Sequence, residues 1–351
     1  MDNVFYGKKE YSISHQKVNA SCPSNIALIK YWGKYENQIP ANPSISYTLQ
    51  HCKTNTELEF YPSESFSVET FLSGKKEKKF AAKIEKYFKS IEVYLPWILK
   101  GKYTIQTENT FPHSSGIASS ASGFGAIAKC LMNLDSIFSD VLDDDFKTQK
   151  ASFLARLGSG SACRSLYNGL VVWGKTDEVL GSSDLYAVPY PKEEIQPIFR
   201  NFNDWVLLIH EGEKSVSSTV GHGLMNTNPY AKTRFEEAHI NFSKLKNILS
   251  EGDMEGFISL VEHEALTLHA MMMMSNPAFI LMKPATVEVI NRIWEFRKNT
   301  GLSLFFTLDA GANVHLLFPN DKDSDSIQSF ITSELLPFAQ NNGIVKDVMH
   351  F

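Results

Sequence analysis

The run Gly158-Ser-Gly-Ser-Ala-Cys-Arg-Ser165 constrains this chain more than any other stretch. Small residues crowd positions 158 to 162, and a single arginine, Arg164, follows them. Glycine lacks the Cβ that bars unusual φ/ψ angles, so backbone N–H groups here can turn toward an anion. Arg164 can then offer a planar fork of donors to a carboxylate or phosphate. A Gly-Ser turn carrying an exposed arginine is the alternative, and the stretch alone does not choose between them.

The 351 residues predict about two domains, each able to bury its own core. A hydrophobic content of 43% with 21% charged residues fits a soluble globular protein. The net charge of −5 argues against broad binding of nucleic acid or anionic membrane. It still allows an anionic small molecule wherever a few cations converge. Cys22, Cys52, Cys130 and Cys163 are widely spaced and form no C-x-x-C pair, which implies neither a disulfide framework nor a zinc site. The first ten residues lack the apolar core of a signal peptide, and no apolar run approaches the roughly 18 residues of a membrane span. A cytoplasmic location is expected.

Hydropathy patterning points to an α+β chain. Residues 21–60 read as strands and turns, with Pro23, Pro40 and Pro43 as punctuation. The cluster at 75–79 reads as a solvated loop. Phe124, Ile127, Ala128, Leu131 and Leu134 follow helical spacing, and Ser119 and Ser120 stand where capping hydroxyls are common. Asp143-Asp-Asp145 suits the start of another helix. Residues 170–173 read as a buried strand. Prolines 189, 191 and 197 break the pattern around 185–203, which places a domain boundary there and divides the chain into an N-terminal domain over 1–195 and a C-terminal α+β domain over 196–351. Beyond it, 205–209 reads as a strand, with helices near 229–250, 252–273 and 284–299. Residues 304–308 and 314–318 read as paired strands around a tight Asp-Ala-Gly-Ala-Asn connection.

Three further stretches could carry chemistry. Phe111-Pro-His-Ser-Ser-Gly-Ile-Ala-Ser-Ser-Ala-Ser-Gly123 runs straight into a helix, so backbone N–H groups and the helix dipole could meet a phosphate there. It is not a G-x-x-x-x-G-K-[ST] loop, and a Ser-rich cap is the alternative. Ser24-Asn-Ile-Ala-Leu-Ile-Lys-Tyr-Trp-Gly-Lys34 adds two cations and a phenol to an apolar strand. Asp309, at a strand end beside Gly311, can face a reacting hydroxyl or close an Asx turn. His263, Glu264 and His269 imitate a metalloprotease helix, but that motif needs histidines at i and i+4. Six residues rotate the pair by about 240°, onto different sides. The run Met271 to Met274 reads as adaptable core packing.

Together these stretches resemble the mevalonate diphosphate decarboxylases of the GHMP kinase superfamily. That family's A-P-x-N-I-A-x-I-K-Y-W-G-K stands here as Cys22 to Lys34, its F-P-T-A-A-G-L-A-S-S-A as Phe111 to Ala121, its G-S-G-S-A-C-R-S intact from Gly158, and its T-x-D-A-G-P-N as Thr307 to Asn313. The motifs keep their order over nearly the whole chain. His113, Ser114 and Ser115 depart from the phosphate loop, and Ala312 replaces a proline, which should loosen the loop that fixes Asp309.

The resemblance implies a two-domain α+β fold of GHMP kinase type, with the site in the cleft between domains. It also implies ATP-dependent decarboxylation of mevalonate 5-diphosphate to isopentenyl diphosphate, in a homodimer. By motif position, Asp309 would orient or deprotonate the 3-hydroxyl, Lys30 would sit beside it, and Arg164 would clamp the substrate carboxylate. Asn25, Tyr31, Lys34, Ser159, Gly160, Ser161 and Ser218 would bind substrate. Ser115, Gly116, Ile117, Ala118, Ser119 and Ser120 would cradle ATP, with Mg²⁺ held through its phosphates and Ser119 or Ser120. A decarboxylase of mevalonate 5-phosphate, a kinase that stops after phosphorylation, and a non-catalytic regulator are the competing readings.

Overall fold

The computed structural model describes residues 2–8, 10–112, 117–139, 143–212 and 216–350. Its backbone is set by β1 (Gln16–Ile29) and β2 (Ser44–Pro62), antiparallel partners whose register shifts at Pro23/Asn25 and again at Ala27/Ile29. Proline donates no ladder hydrogen bond, so the pairing yields there, and Asn25 is re-aimed from the sheet. The first half of β1 alternates half-buried and exposed positions, as expected of a strand with one wet face, while its last residues are buried.

Around this pair lie β3 (Ser67–Leu72), the short β4 (Lys75–Lys76), β5 (Gly101–Asn109), β6 (Leu170–Trp173) and β7 (Val188–Pro189), in the order β4-β3-β5-β2-β6-β7 with β1 on β2. Of the lysine cluster at 75–79, only part is loop. Lys75 and Lys76 form the exposed β4, and Glu77 caps α1 (Lys78–Ser90) by accepting from the Lys79 N–H. Helices α2 (Ser119–Phe138) and α3 (Asp144–Gly158) pack with α1 to build one core. Asp143 caps α3 by accepting from the Phe146 N–H at 3.1 Å, the role expected for that acidic run. The four cysteines are buried and free, and none of the described helices is long and apolar enough to cross a membrane.

A second sheet follows, in the order β11-β8-β10-β9, from β8 (Asn201–Leu207), β9 (Phe305–Leu308), β10 (Val314–Pro319) and β11 (Ile344–His350). The expected hairpin is present, with Val314 opposite Leu308. Between β8 and β9 come the short α4 (Ser218–Leu224), then α5 (Ala231–Glu251), α6 (Met254–Met273) and α7 (Pro284–Thr300). Gly252 and Gly301 end α5 and α7 at φ of 81° and 73°, the left-handed geometry that L side chains resist. In the methionine run, Met271 and Met272 are core, whereas Met273 and Met274 are partly exposed.

The two sheets share one apolar core, in which Tyr47 and Leu49 of β2 meet Phe202, Phe257 and Met349. Asp347 locks the seam. Its buried carboxylate accepts from the backbone N–H of Gln50 (2.9 Å), His51 (3.0 Å) and Cys52 (2.6 Å). Asp347→Ala leaves these donors dry, which costs about 2 kcal/mol or more. The expected result is a melting temperature several degrees lower by calorimetry, with Asp347→Asn intermediate.

Candidate active site

Where the two halves meet, a cleft of about 750 Å³ opens. Lys30 leaves the end of β1, Asp309 follows β9, and Arg164 sits in the 3₁₀ turn Gly160–Leu166 that follows α3. All three line the cleft, together with Asn25, Tyr31, Lys34, Ser159, Gly160, Ser161, Ser218, Ile117, Ala118, Ser119 and Ser120. Of the residues singled out in the sequence, Ser115 and Gly116 lie outside the described residues, as do the departures His113 and Ser114. Among the described lining residues, Asp309 is the one carboxylate against five cations: Lys30, Lys34, Lys83, Lys86 and Arg164. An acidic protein has gathered positive charge at one place.

Arg164 is 2% exposed, and its hydrogen-bond partners are neutral oxygens. Nε donates to Ser46 Oγ (2.9 Å) and to Asn25 Oδ1 (3.3 Å), Nη1 to Ser44 Oγ, and Nη2 to Asn25 Oδ1 (3.3 Å). Asn25 is itself fixed, donating to Ser165 Oγ at 2.8 Å and to the Ser161 carbonyl at 3.2 Å. Burial disfavours the guanidinium charge, and Cys163, Tyr31 and Asp309 offset this only in part. Lys30 is 3% exposed, its Nζ donates to the Ala27 carbonyl, and burial pulls its pKa down to about 8 against the opposing pull of Asp309 and Glu264. Lys34 is half-buried, donates to Gln38 Oε1 at 2.6 Å, and is also depressed by burial, with Lys83 adding to the effect. The Tyr31 hydroxyl and Trp32 Nε1 are buried without a hydrogen-bond partner among the described residues.

Two sequence expectations change in physical character. The glycines of the 158–165 run serve close approach rather than unusual backbone angles. A Cβ on Gly158 would stand 2.0 Å from Phe124, and one on Gly160 2.7 Å from the Tyr31 hydroxyl and 2.8 Å from Trp173. Ser119 and Ser120 do not cap α2. The N-cap is Ala118, without a side-chain cap bond, and Ser120 Oγ instead lies 3.2 Å from Ser159 Oγ. The start of this 20-residue helix, at Ser119 and Ser120, lines the cleft. The loop after Asp309, which lacks the expected proline, is fastened by hydrogen bonds. Thr286 Oγ1 donates to the Ala312 carbonyl (2.7 Å), and Asn313 Oδ1 accepts from the His210 N–H (2.9 Å).

Sequence reasoning missed Lys83 and Lys86, whose i,i+3 spacing sets them on one face of α1. It also missed His222, which stands four residues after Ser218 and lines the same cleft. His222 is stacked against Tyr31 and Trp32, with centroids at 4.4 and 4.5 Å, and its Nδ1 accepts from the Gly33 N–H at 3.0 Å. Burial, with Lys34 adding, drives its pKa to about 3, so the ring is neutral and carries its proton on Nε2.

The geometry defines a two-domain α+β protein with a cleft in which, among the described lining residues, five cationic side chains face one carboxylate. Residues 22–187 match the diphosphomevalonate decarboxylase-like N-terminal domain, and 205–348 the mevalonate 5-diphosphate decarboxylase C-terminal domain. The diphosphomevalonate decarboxylase of Schizosaccharomyces pombe is 31% identical over 85% of this chain and 77% of its own. The crystal structure of mevalonate diphosphate decarboxylase from Staphylococcus aureus superposes with a TM-score of 0.81 at 29% identity, covering 96% of each chain. The Enterococcus faecalis enzyme, at 23% identity and a TM-score of 0.79 over 96% of this chain and 99% of its own, shares the fold. The protein belongs to the diphosphomevalonate decarboxylase family, carboxy-lyases of GHMP kinase-like fold.

Gly160→Ala tests the packing of the site. Its methyl group must displace Tyr31 or Trp173, so KM for the anionic substrate should rise about tenfold while the melting temperature changes by only a few degrees. Unchanged KM in steady-state assays would mean that Tyr31 can move without consequence.

Proposed function

We propose that Asp309, Lys30 and Arg164 carry the ATP-dependent decarboxylation of mevalonate 5-diphosphate in this cleft, giving isopentenyl diphosphate, ADP, phosphate and carbon dioxide. The observation that supports this most is Arg164, a buried cation whose hydrogen-bond partners among the described residues are neutral oxygens, in a cleft that Lys30 and Asp309 also line. Such a guanidinium is a receptor for a substrate carboxylate. The division of labour follows 1–195 for ATP and substrate and 196–351 for Asp309.

The chemistry needs three things from the protein. Hydroxide is a poor leaving group, so the tertiary 3-hydroxyl takes the γ-phosphoryl of ATP, with Asp309 orienting the hydroxyl or accepting its proton. Lys30, an ammonium below pH about 8, keeps Asp309 ionised and faces the transferred charge. Phosphate then leaves, positive charge develops at the tertiary carbon, and the C–C bond electrons of the departing carboxylate form the alkene. Arg164 holds that carboxylate so that its bond lies along the reacting axis. Tyr31, Lys34, Ser159, Gly160, Ser161 and Ser218 hold the rest of the substrate, and Asn25 orients Arg164.

The uncapped start of α2 fits ATP phosphates, with Ile117, Ala118, Ser119 and Ser120 around them and Lys83 and Lys86 across the cleft. Magnesium bound with the nucleotide neutralises phosphate charge, and Ser119 or Ser120 would reach it. The proposal includes a cytoplasmic homodimer. Four free, buried cysteines support a reducing compartment, and sedimentation tests the dimer.

With ATP and magnesium, mevalonate 5-diphosphate should release ADP and carbon dioxide in equal amounts, and mevalonate 5-phosphate should do so far more slowly. ADP without carbon dioxide would make the protein a kinase. Asp309→Asn should lower kcat by at least about 10²-fold with ATP affinity kept. The plot of kcat/KM against pH should fall on the alkaline side with an apparent pKa near 8, because Lys30 loses its proton there. A flat profile to pH 10 would remove that role from Lys30.

A further inference from the structure

Among the buried polar residues of helix α6, Glu264 and His269 reach the backbone of Lys30 and Asp309, though the reaction has no direct use for them. Glu264 is fully buried. Its Oε2 accepts the backbone N–H of Lys30 at 2.9 Å and an N–H of Arg234 at 2.5 Å, while Oε1 accepts from Asn241 Nδ2 at 2.7 Å. Five residues on, His269 is 1% exposed, and its Nε2 lies 3.1 Å from the Asp309 carbonyl oxygen. A carbonyl only accepts, so His269 donates. His263, the exposed neighbour, pairs with Glu237 on the opposite side of the helix, as the rotation between the two histidines requires.

We propose that Glu264 and His269 are positioning residues, through which one rigid helix sets the separation and orientation of Lys30 and Asp309. The assignment rests on the reading that these two residues perform the phosphoryl transfer. Lys30 lies one residue beyond β1, where the sheet no longer supplies an acceptor for its N–H, and Glu264 supplies one. Asp309 lies one residue beyond β9, and His269 holds its main chain from the same helix. Side chains fixed this way lose little freedom when substrate arrives, and a displacement of about 1 Å at such a site can cost about 10²-fold in rate.

Glu264 also acts by charge. The groups facing Lys30 are Asp309, Glu264, Arg164 and Asp204, and after Asp309 it is Glu264 that most favours the ammonium against burial. Arg234 is bound to Glu264 through Nη2, and its Nε and Nη1 have no hydrogen-bond partner among the described residues, so removing the carboxylate alone would strand a buried cation. The clean comparison is therefore the double variant Glu264→Gln/Arg234→Met, beside His269→Leu and His269→Gln, which leave the Glu264–Arg234 pair in place.

The experiment measures kcat, both KM values and the pH profile of kcat/KM in folded variants, with Asp309→Asn as control. The double variant should lose about tenfold in kcat and move its alkaline limb to lower pH by about half a unit, with KM for ATP within about twofold. His269→Leu should lose a similar factor without moving that limb, and His269→Gln, which keeps a donor, should recover most of it. Wild-type kcat and an unmoved limb, with Asp309→Asn inactive, would overturn the assignment while leaving the reaction intact. If the double variant does not fold, the two His269 variants decide it: equal activities overturn the proposal, and selective rescue by glutamine supports it. A fully active Asp309→Asn would instead overturn the reading of the reaction, and the assignment with it.

Discussion

A buried guanidinium whose hydrogen-bond partners among the described residues are all neutral oxygens is the constraint on which the rest of this structure depends. Isolating a charge from water costs several kcal/mol even after relaxation. The chain offsets part of this with Asn25, Ser44 and Ser46, residues of β1 and β2 that aim acceptor oxygens at Arg164. The register shift between Pro23 and Asn25 turns that amide toward Arg164. In the proposed reaction the substrate carboxylate would complete that shell from the cleft, which Arg164 lines.

From this follows an arrangement of alternating charge: Arg164, Asp309, Lys30, Glu264 and Arg234 run from the cleft into the second domain. Low dielectric strengthens each neighbour's effect, so the ionisation of Lys30 is decided by groups from both halves of the chain. The seam between the sheets, with Asp347 capping three N–H groups of β2, holds those halves in one geometry. Site and fold are in this sense one problem: a shift of the second sheet against the first would change how strongly Asp309 favours the Lys30 ammonium.

Much of this was legible in the sequence. The 158–165 run, the Lys30 segment and the Asp309 hairpin come together as their motifs implied, because tight turns and strand ends leave local signatures. The purpose of Gly158 and Gly160 was not legible, since a requirement for space is set by Phe124, Tyr31 and Trp173, which are distant in the chain. Nor were Lys83, His222, Glu264 and His269, whose meaning depends on which helix faces the cleft. In the sequence Glu264 and His269 stand out only within a metalloprotease-like pattern that helical rotation argues against, and periodicity could not reveal the backbone groups they hold. The serines at 119 and 120 look like caps in sequence but leave the end of the helix open.

The most direct test of the central claim is a binding cycle on Arg164. Calorimetry would compare mevalonate 5-diphosphate with isopentenyl diphosphate, which lacks the carboxylate, on the wild-type protein and on Arg164→Met. The account predicts that the wild type favours the carboxylate-bearing ligand by about tenfold or more, the worth of a charged hydrogen bond, and that the preference disappears in the variant. A preference of the same size in folded Arg164→Met would contradict it.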